Sequence, residues 1–204
     1  KLKESGEGLL EGRKGRGVGF CMEKVSRGIK VTNNIAYNIW YGWGAAMLDV
    51  RITQGIHYFE IVIRRGDPGT IFFGVTQPSK FRFNRLHGWG LRTNRMLRTN
   101  SNPEKSWFGE ILVSGDVLGM YIDMDRRSVW YYKNGKCLGL AFSDLPGKGE
   151  KEGDDDEEEG GEEDRGVVPV VGLGCSAEVM LKYEHISVAS PLVRDSLSEL
   201  SSLV

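Results

Sequence analysis

The residues that could do chemistry in this chain are spaced in ways that speak against catalysis. His57, His87 and His185 lie far apart, and none sits in an HxH or HExxH context that would hold a metal. His57 adjoins the alternating stretch Tyr58–Ile63, where a hydrogen-bonded structural histidine is expected. Cys21, Cys137 and Cys175 are odd in number and form no CxxC pair, which disfavours a zinc site or a disulfide framework. None has a neighbouring histidine base in the sequence. Asp123-Met-Asp125 would open an EF-hand loop only with Gly at its sixth place and Glu at its twelfth; Ser128 and Asn134 stand there instead, so a turn is expected. Gly172-Leu-Gly-Cys-Ser-Ala177 fits a loose GxGxxA, but a dinucleotide fold needs a helix next, and Glu178–Tyr183 reads as a strand. Neither GxSxG nor GxxxxGK[ST] occurs. No catalytic residue, metal or cofactor is expected.

Recognition chemistry is better represented. Lys80, Arg82, Arg85, Arg92, Arg95, Arg98 and Lys105 are opposed only by Glu104, and Phe81, Phe83, Trp89 and Trp107 interleave with them. Basic and aromatic residues together suit a single-stranded nucleic-acid groove. They suit equally an acidic or polar peptide, or a solvated face over an aromatic core. The peptide reading is preferred to nucleic acid and gives each residue a role. Arg82 and Arg85 would hold carboxylates or carbonyls of a partner through charge-assisted bonds. Asn33 and Asn34 would read main-chain groups, and Tyr37 and Phe83 would be apolar anchors. The candidate surface joins Val31–Asn38, Arg64–Thr70, Gln77–His87 and Gly172–Ala177, the last contributing Leu173 and Cys175. The alternatives are a nucleic-acid or polyanion-binding module using Lys80–Lys105 and a structural domain of a scaffold.

Such loops need a rigid frame, and the pattern supplies one made of strands. Phe59, Ile61 and Ile63 alternate with Tyr58, Glu60 and Val62, and further strand signals follow at Ile71–Thr76, Val117–Asp123, Val129–Lys133, Cys137–Phe142, Val168–Val171 and Glu178–Tyr183. No stretch between Val18 and Ile186 sustains an apolar helical stripe over three turns, so the fold class is all-β, a sandwich of two antiparallel sheets. Asn134-Gly135 predicts a type I′ hairpin turn with Lys133 facing Lys136, Tyr131 facing Leu138 and Val129 facing Leu140. That register puts Val129, Tyr131, Leu138, Leu140 and Phe142 on one face and sets Trp130 over Gly139.

Composition fits an ordered domain of 204 residues, with 40% apolar residues and 27 Lys+Arg against 28 Asp+Glu. The near-zero balance hides an asymmetry: Glu150–Asp164 holds eleven acidic residues and one lysine. This run has nothing to bury and is expected as a disordered surface insertion spanning 148–165. Residues 1–17 read as a basic, Gly-rich arm, 18–187 as the folded domain and 188–204 as a tail. In that tail Ser190-Pro191 offers a helix start, and Val193, Leu197, Leu200 and Val204 share one stripe of a short helix. Apolar runs such as Val167–Val171 are far shorter than the ~20 residues that span a bilayer, so no membrane is expected. The chain starts at Lys1 without an apolar leader and lacks an Asn-x-Ser/Thr sequon. It is read as an excised or processed piece from a reducing compartment, cytoplasm or nucleus.

Ordered motifs along the chain resemble the SPRY domain family. They are Gly55-Ile-His-Tyr-Phe-Glu60, Phe73-Gly-Val-Thr76, Gly88-Trp-Gly-Leu91, Gly115–Asp125, Tyr132-Lys-Asn-Gly-Lys136, Leu138-Gly-Leu-Ala-Phe142, Pro169-Val-Val171 and Glu178–Tyr183. The resemblance implies a bent, concanavalin-type β-sandwich without enzymatic activity that binds a partner peptide or loop on its inter-strand loops. Glu178-Val-Met-Leu-Lys-Tyr183 and Pro191-Leu192 are similar to SPRY adaptors of ubiquitin ligases that carry a SOCS box. From their peptide-binding pattern Thr70 carries over. The Trp they place after the Pro-Val-Val strand has no counterpart in Gly172–Ala177.

Overall fold

The computed structural model describes residues 18–84, 87–99, 107–146 and 166–187, the last five without side chains. The expected arm, the acidic insertion and the tail with its helix lie outside the described residues. The described residues form thirteen strands and one 3-10 turn, Pro78–Lys80. The strands are β1 Phe20–Val25, β2 Ile29–Thr32, β3 Ile35–Asn38, β4 Gly44–Leu48, β5 Ile56–Arg65, β6 Ile71–Thr76, β7 Trp89–Arg92, β8 Leu97–Arg98, β9 Val117–Asp123, β10 Ser128–Lys133, β11 Lys136–Phe142, β12 Val168–Leu173 and β13 Glu178–Ser187.

Two antiparallel sheets result. The first has the order β1-β4-β12-β6-β7-β8 and the second β11-β10-β9-β5-β13-β3-β2. The period of two in β5 explains the layering: Phe59, Ile61 and Ile63 are buried toward the first sheet. Leu118, Met120 and Ile122 from β9 and Val129 and Tyr131 from β10 join them. Opposite stand Ala46, Leu48, Ile71, Phe73, Val75, Trp89, Leu91 and Val171. Tyr131 crosses the core and donates its hydroxyl to the Phe73 carbonyl at 2.7 Å, so a buried polar group is satisfied by the facing sheet.

Each sheet also carries an apolar patch on its outer side. On the first, Ala45, Met47, Phe72, Val168 and Val170 pack together under Phe81. Phe81 belongs to the long β6–β7 connection, which leaves β6 at Thr76 and lies along this outer face. On the second, Tyr58, Tyr121 and Tyr132 form a separate cluster.

The Asn134-Gly135 turn forms as expected, with φ 51° and 82° and Lys133 opposite Lys136. Tyr132 faces Cys137 in the same register. Beyond it the pairing differs from the expected one: Tyr131 faces Gly139, Trp130 faces Leu140 and Val129 faces Phe142. Two irregularities shift the pairing, and Gly139 at φ 119° occupies a conformation closed to other residues. Leu140 is consequently turned outward and exposed instead of joining Val129 and Tyr131 in the core.

Candidate functional site

Three connections meet at one end of the sandwich: residues 39–43 between β3 and β4, residues 66–70 between β5 and β6, and residues 174–177 between β12 and β13. Backbone bonds fasten them together. Gly174 N donates to the Thr70 carbonyl at 2.7 Å. Thr70 is itself held by Asp67, whose carbonyl accepts from Thr70 N at 3.0 Å and from Thr70 Oγ1 at 2.7 Å. Arg65 Nε donates to the Ser176 carbonyl at 2.8 Å. Arg92 Nη2 donates to the Gly69 carbonyl at 2.7 Å, and its guanidinium lies 5.0 Å from the Trp43 ring centroid.

Asn38 organises the 39–43 loop. Its side chain is buried. Nδ2 donates to the carbonyls of Leu173 and Gly42, each at 2.7 Å, and Oδ1 accepts from Trp40 N at 2.8 Å. A buried amide with its three bonds made fixes the backbone around it. The loop so fixed presents Ile39, Trp40 and Tyr41, which are 57%, 62% and 92% exposed. Contiguous large apolar side chains held out on a rigid loop make this segment a candidate contact surface. The sequence reading ended this segment at Asn38 and missed all three; the aromatic-glycine string Trp40-Tyr41-Gly42-Trp43 was the available signal.

The expected site residues fall in several places. Thr70 and Cys175 belong to the loop end, Cys175 exposed beside Ser176. Leu173 lies there too, but its side chain is fully buried and packed in the core. Strand β12 runs two residues beyond Val171, so Leu173 is scaffold and offers no side chain to a partner. Phe83 is 45% exposed, packs edge-on against Phe81 at 5.2 Å, and its carbonyl accepts from Ala45 N at 3.1 Å and from Ser26 Oγ. Because Ala45 follows Gly44, which pairs with Leu173, these bonds bring the β6–β7 connection to the same end. Arg82 is exposed, with Nη1 donating to the carbonyls of Ser79 at 2.8 Å and Phe81 at 3.0 Å, so it braces its own loop. Arg85 lies outside the described residues.

Asn33, Asn34 and Tyr37 sit elsewhere. Asn33 and Asn34 make the β2–β3 turn, with Asn33 at φ 55° and Asn34 Nδ2 donating to the Leu181 carbonyl at 2.8 Å. Tyr37 stands opposite Glu178 on the outer side of the second sheet, where Arg64 Nε is 2.8 Å from Glu178. Of the aromatics interleaved with the basic run, Phe81 and Trp89 are buried, and Trp107 lies under Arg95, 5.2 Å from its centroid. The described residues therefore provide no continuous stacking track for bases. No group of His, Cys, Asp and Glu among the described residues could hold a metal ion. No described helix is long and apolar enough to cross a membrane.

Comparison with known proteins agrees with this frame. Residues 56–151 match the SPRY domain family. The SPRY domain of human HERC1 superposes with a TM-score of 0.65 at 21% identity, covering 82% of this chain and 99% of that one. Another human SPRY domain gives 0.56 at 19% identity, covering 80% and 98%. Among curated proteins, the Ran-binding proteins 9/10 homolog of Drosophila melanogaster is 35% identical over 100 residues, which is 46% of this chain and 10% of that protein. Ran-binding protein 9 of Homo sapiens is 32% identical over 98 residues, 45% and 13% respectively. The chain thus spans only a small part of the relatives it matches. SPRY domains are, in general, modules for protein–protein contact. The chain shares the fold of SPRY domains, and its residues 56–151 match that family.

Proposed function

We propose that this domain binds a short peptide or a loop of a partner protein at the end where residues 39–43, 66–70 and 174–177 meet. The observation that carries the reading is the exposed Ile39-Trp40-Tyr41 segment locked by Asn38. Trp40 and Tyr41 would be the apolar anchors, large rings already fixed before the partner arrives. Thr70 and Cys175 would border them, with Phe83 and Arg82 along the first sheet's outer face. Asn33, Asn34 and Tyr37 would form an outlying rim. The role is recognition without catalysis, inside a larger cytoplasmic or nuclear protein. The likeness of Glu178–Tyr183 and Pro191-Leu192 to SOCS-box adaptors supports one setting, the substrate-recognition part of a ubiquitin ligase.

The test is selection of random displayed peptides on the wild-type domain, followed by binding of the selected peptides to Trp40→Ala and Tyr41→Ala. Selected peptides should lose about tenfold or more in affinity on either variant. Equal binding to both variants would refute this surface.

A further inference from the structure

The turn joining β1 to β2, Ser26–Gly28, is wedged between two exposed aromatic residues. On one side Ser26 Oγ donates to the Phe83 carbonyl. On the other the Gly28 carbonyl accepts from Ile39 N at 2.8 Å, and a Cβ on Gly28 would stand 3.0 Å from Trp40 Cβ. Glycine permits that close approach. Arg27 lies between these two anchored residues, and so between Trp40 and Phe83. Its side chain is exposed, and among the described residues no hydrogen bond or ion pair engages it.

The neighbouring arginines, by contrast, have internal tasks. Arg92 joins Gly69 to Trp43, and Arg82 braces its own loop. Arg64 and Arg65 share Glu178, at 2.8 and 3.7 Å. Lys30 of β2 adds a further cation, opposite Tyr37, which itself faces Glu178. The segments that meet here, 26–43, 64–70, 79–84 and 174–178, contain as acids only Asp67 and Glu178. Charge of one sign therefore surrounds the exposed aromatics. Away from this corner, Lys182 is matched by Glu60, Arg126 by Asp123, and Lys133 and Lys136 by Glu110.

We propose that the occupant of this surface is an acidic peptide, whose apolar side chain packs on Trp40 and Tyr41 while an Asp or Glu beside it is received by Arg27. The proposal rests on the reading of Ile39–Tyr41 as the contact surface, and adds the charge of the occupant and the residue that selects it. A guanidinium without an internal partner keeps its whole fork of donors for a ligand, and that fork fits a carboxylate with two parallel bonds. Rings on either side exclude water once the peptide is seated, which strengthens those bonds. The surrounding cations draw an acidic segment in and disfavour a basic one. A protein segment suits the site better than a nucleic acid, because the exposed rings form a corner and not a track along which successive bases could stack.

Random displayed peptides are selected separately on the full wild-type chain and on Arg27→Glu. Wild-type selections should be enriched in Asp or Glu at a fixed distance from an apolar residue, and the variant should select Lys or Arg at that place. A synthetic peptide from the wild-type selection should bind Arg27→Glu about tenfold or more weakly. Changing its acid to the matching amide should weaken binding to the wild type and have little further effect on Arg27→Glu, the signature of a direct pair in a double-mutant cycle. The unfolding midpoint of Arg27→Glu should stay close to that of the wild type, since the side chain has no partner to lose. Selected peptides that weaken on Trp40→Ala, yet show no acidic preference and bind Arg27→Glu as tightly as the wild type, would overturn the charge assignment and leave the aromatic surface standing. Peptides indifferent to Trp40→Ala and Tyr41→Ala would remove the surface itself, and the proposal with it. A single-stranded oligonucleotide that displaces the selected peptide and is equally weakened by Arg27→Glu would overturn the proposal in favour of a general polyanion site.

Discussion

Asn134 Nδ2 donates to Asp116 Oδ1 at 2.8 Å, and Asn134 Oδ1 accepts from Val117 N at the same distance. The turn residue required for positive φ thus also ties the β10–β11 hairpin to the start of β9. Asp116 Oδ2 accepts from Val113 N at 2.9 Å, and Lys133 Nζ lies 3.3 Å away. Asp116→Ala strands several of these donors, and a loss of about 1–3 kcal/mol is expected in urea unfolding. Burial alone would raise the Asp116 carboxyl, but Val113 N–H, Asn134 and Lys133 together hold it below the usual carboxylate range. A depressed carboxyl contributes fully above its unfolded pKa and loses that contribution as the pH falls through its folded value. Asp116→Asn should therefore flatten the acid limb of the stability profile below about pH 4, where the wild type still declines.

The tyrosines set the opposite limb. Burial, then the Glu60 carboxylate, pushes the Tyr58 hydroxyl well above the ordinary tyrosine range. Burial, then Cys137, does the same for Tyr132, and burial followed by Asp123 raises Tyr121. In each case the folded state keeps a proton that the unfolded state releases near pH 10. This contribution is whole below that pH and is lost as the pH rises through the folded values. Unfolding midpoints should fall with increasing slope above about pH 10, and Tyr132→Phe should make the fall shallower. An identical slope in the two proteins would contradict this account.

These effects show which parts of the molecule were legible as sequence. The strands Ile71–Thr76 and Val117–Asp123 occupy the expected residues because apolar pattern and flanking turn residues both mark them. Asn134-Gly135 was equally readable, since its geometry is local. The register beyond it was not: Gly139 shifts the pairing, and nothing in a two-residue loop announces a bulge further along the strand. Short strands such as β2, β3 and β8 carry too few residues to show a period. In the candidate site, Gly172–Ala177 reads as a loop in the sequence, yet Gly172 and Leu173 belong to β12, and Asn34 is bound to Leu181. Those outcomes depend on residues more than a hundred positions away, which spacing cannot report.

Close packing of the first sheet gives another test. A Cβ on Gly90 would stand 2.2 Å from Cζ of Phe72, and one on Gly74 would stand 2.2 Å from the Trp89 carbonyl oxygen. Phe72 is a side chain and can move, at the expense of the patch under Phe81. The Trp89 carbonyl is fixed in the β6–β7 pairing and cannot. Gly90→Ala should cost about 1–3 kcal/mol, and Gly74→Ala more. Combining Gly90→Ala with Phe72→Leu should be less damaging than the sum of the two single changes, giving a measurable coupling in a double-mutant cycle. Strict additivity would show that the clash is relieved by backbone movement instead.

Asn38 offers the sharpest separation of scaffold from surface, because it shapes the 39–43 loop without being exposed. Asn38→Ala removes both Nδ2 donors and the acceptor for Trp40 N, leaving the Leu173 and Gly42 carbonyls without their side-chain donor. Stability should fall by about 1–3 kcal/mol. Amide exchange at Trp40 should quicken while amides in β5 and β9 change only with global stability. Trp40 and Tyr41 remain in the chain, but they are no longer held in advance of binding, so peptide affinity should drop even where the domain is fully folded. Trp40→Ala makes the opposite separation: affinity falls, and the unfolding midpoint moves by no more than the equivalent of about 0.5 kcal/mol. If Asn38→Ala instead bound selected peptides as tightly as the wild type, the aromatic loop would be acting as a free tether, and its fixed geometry would have no part in recognition.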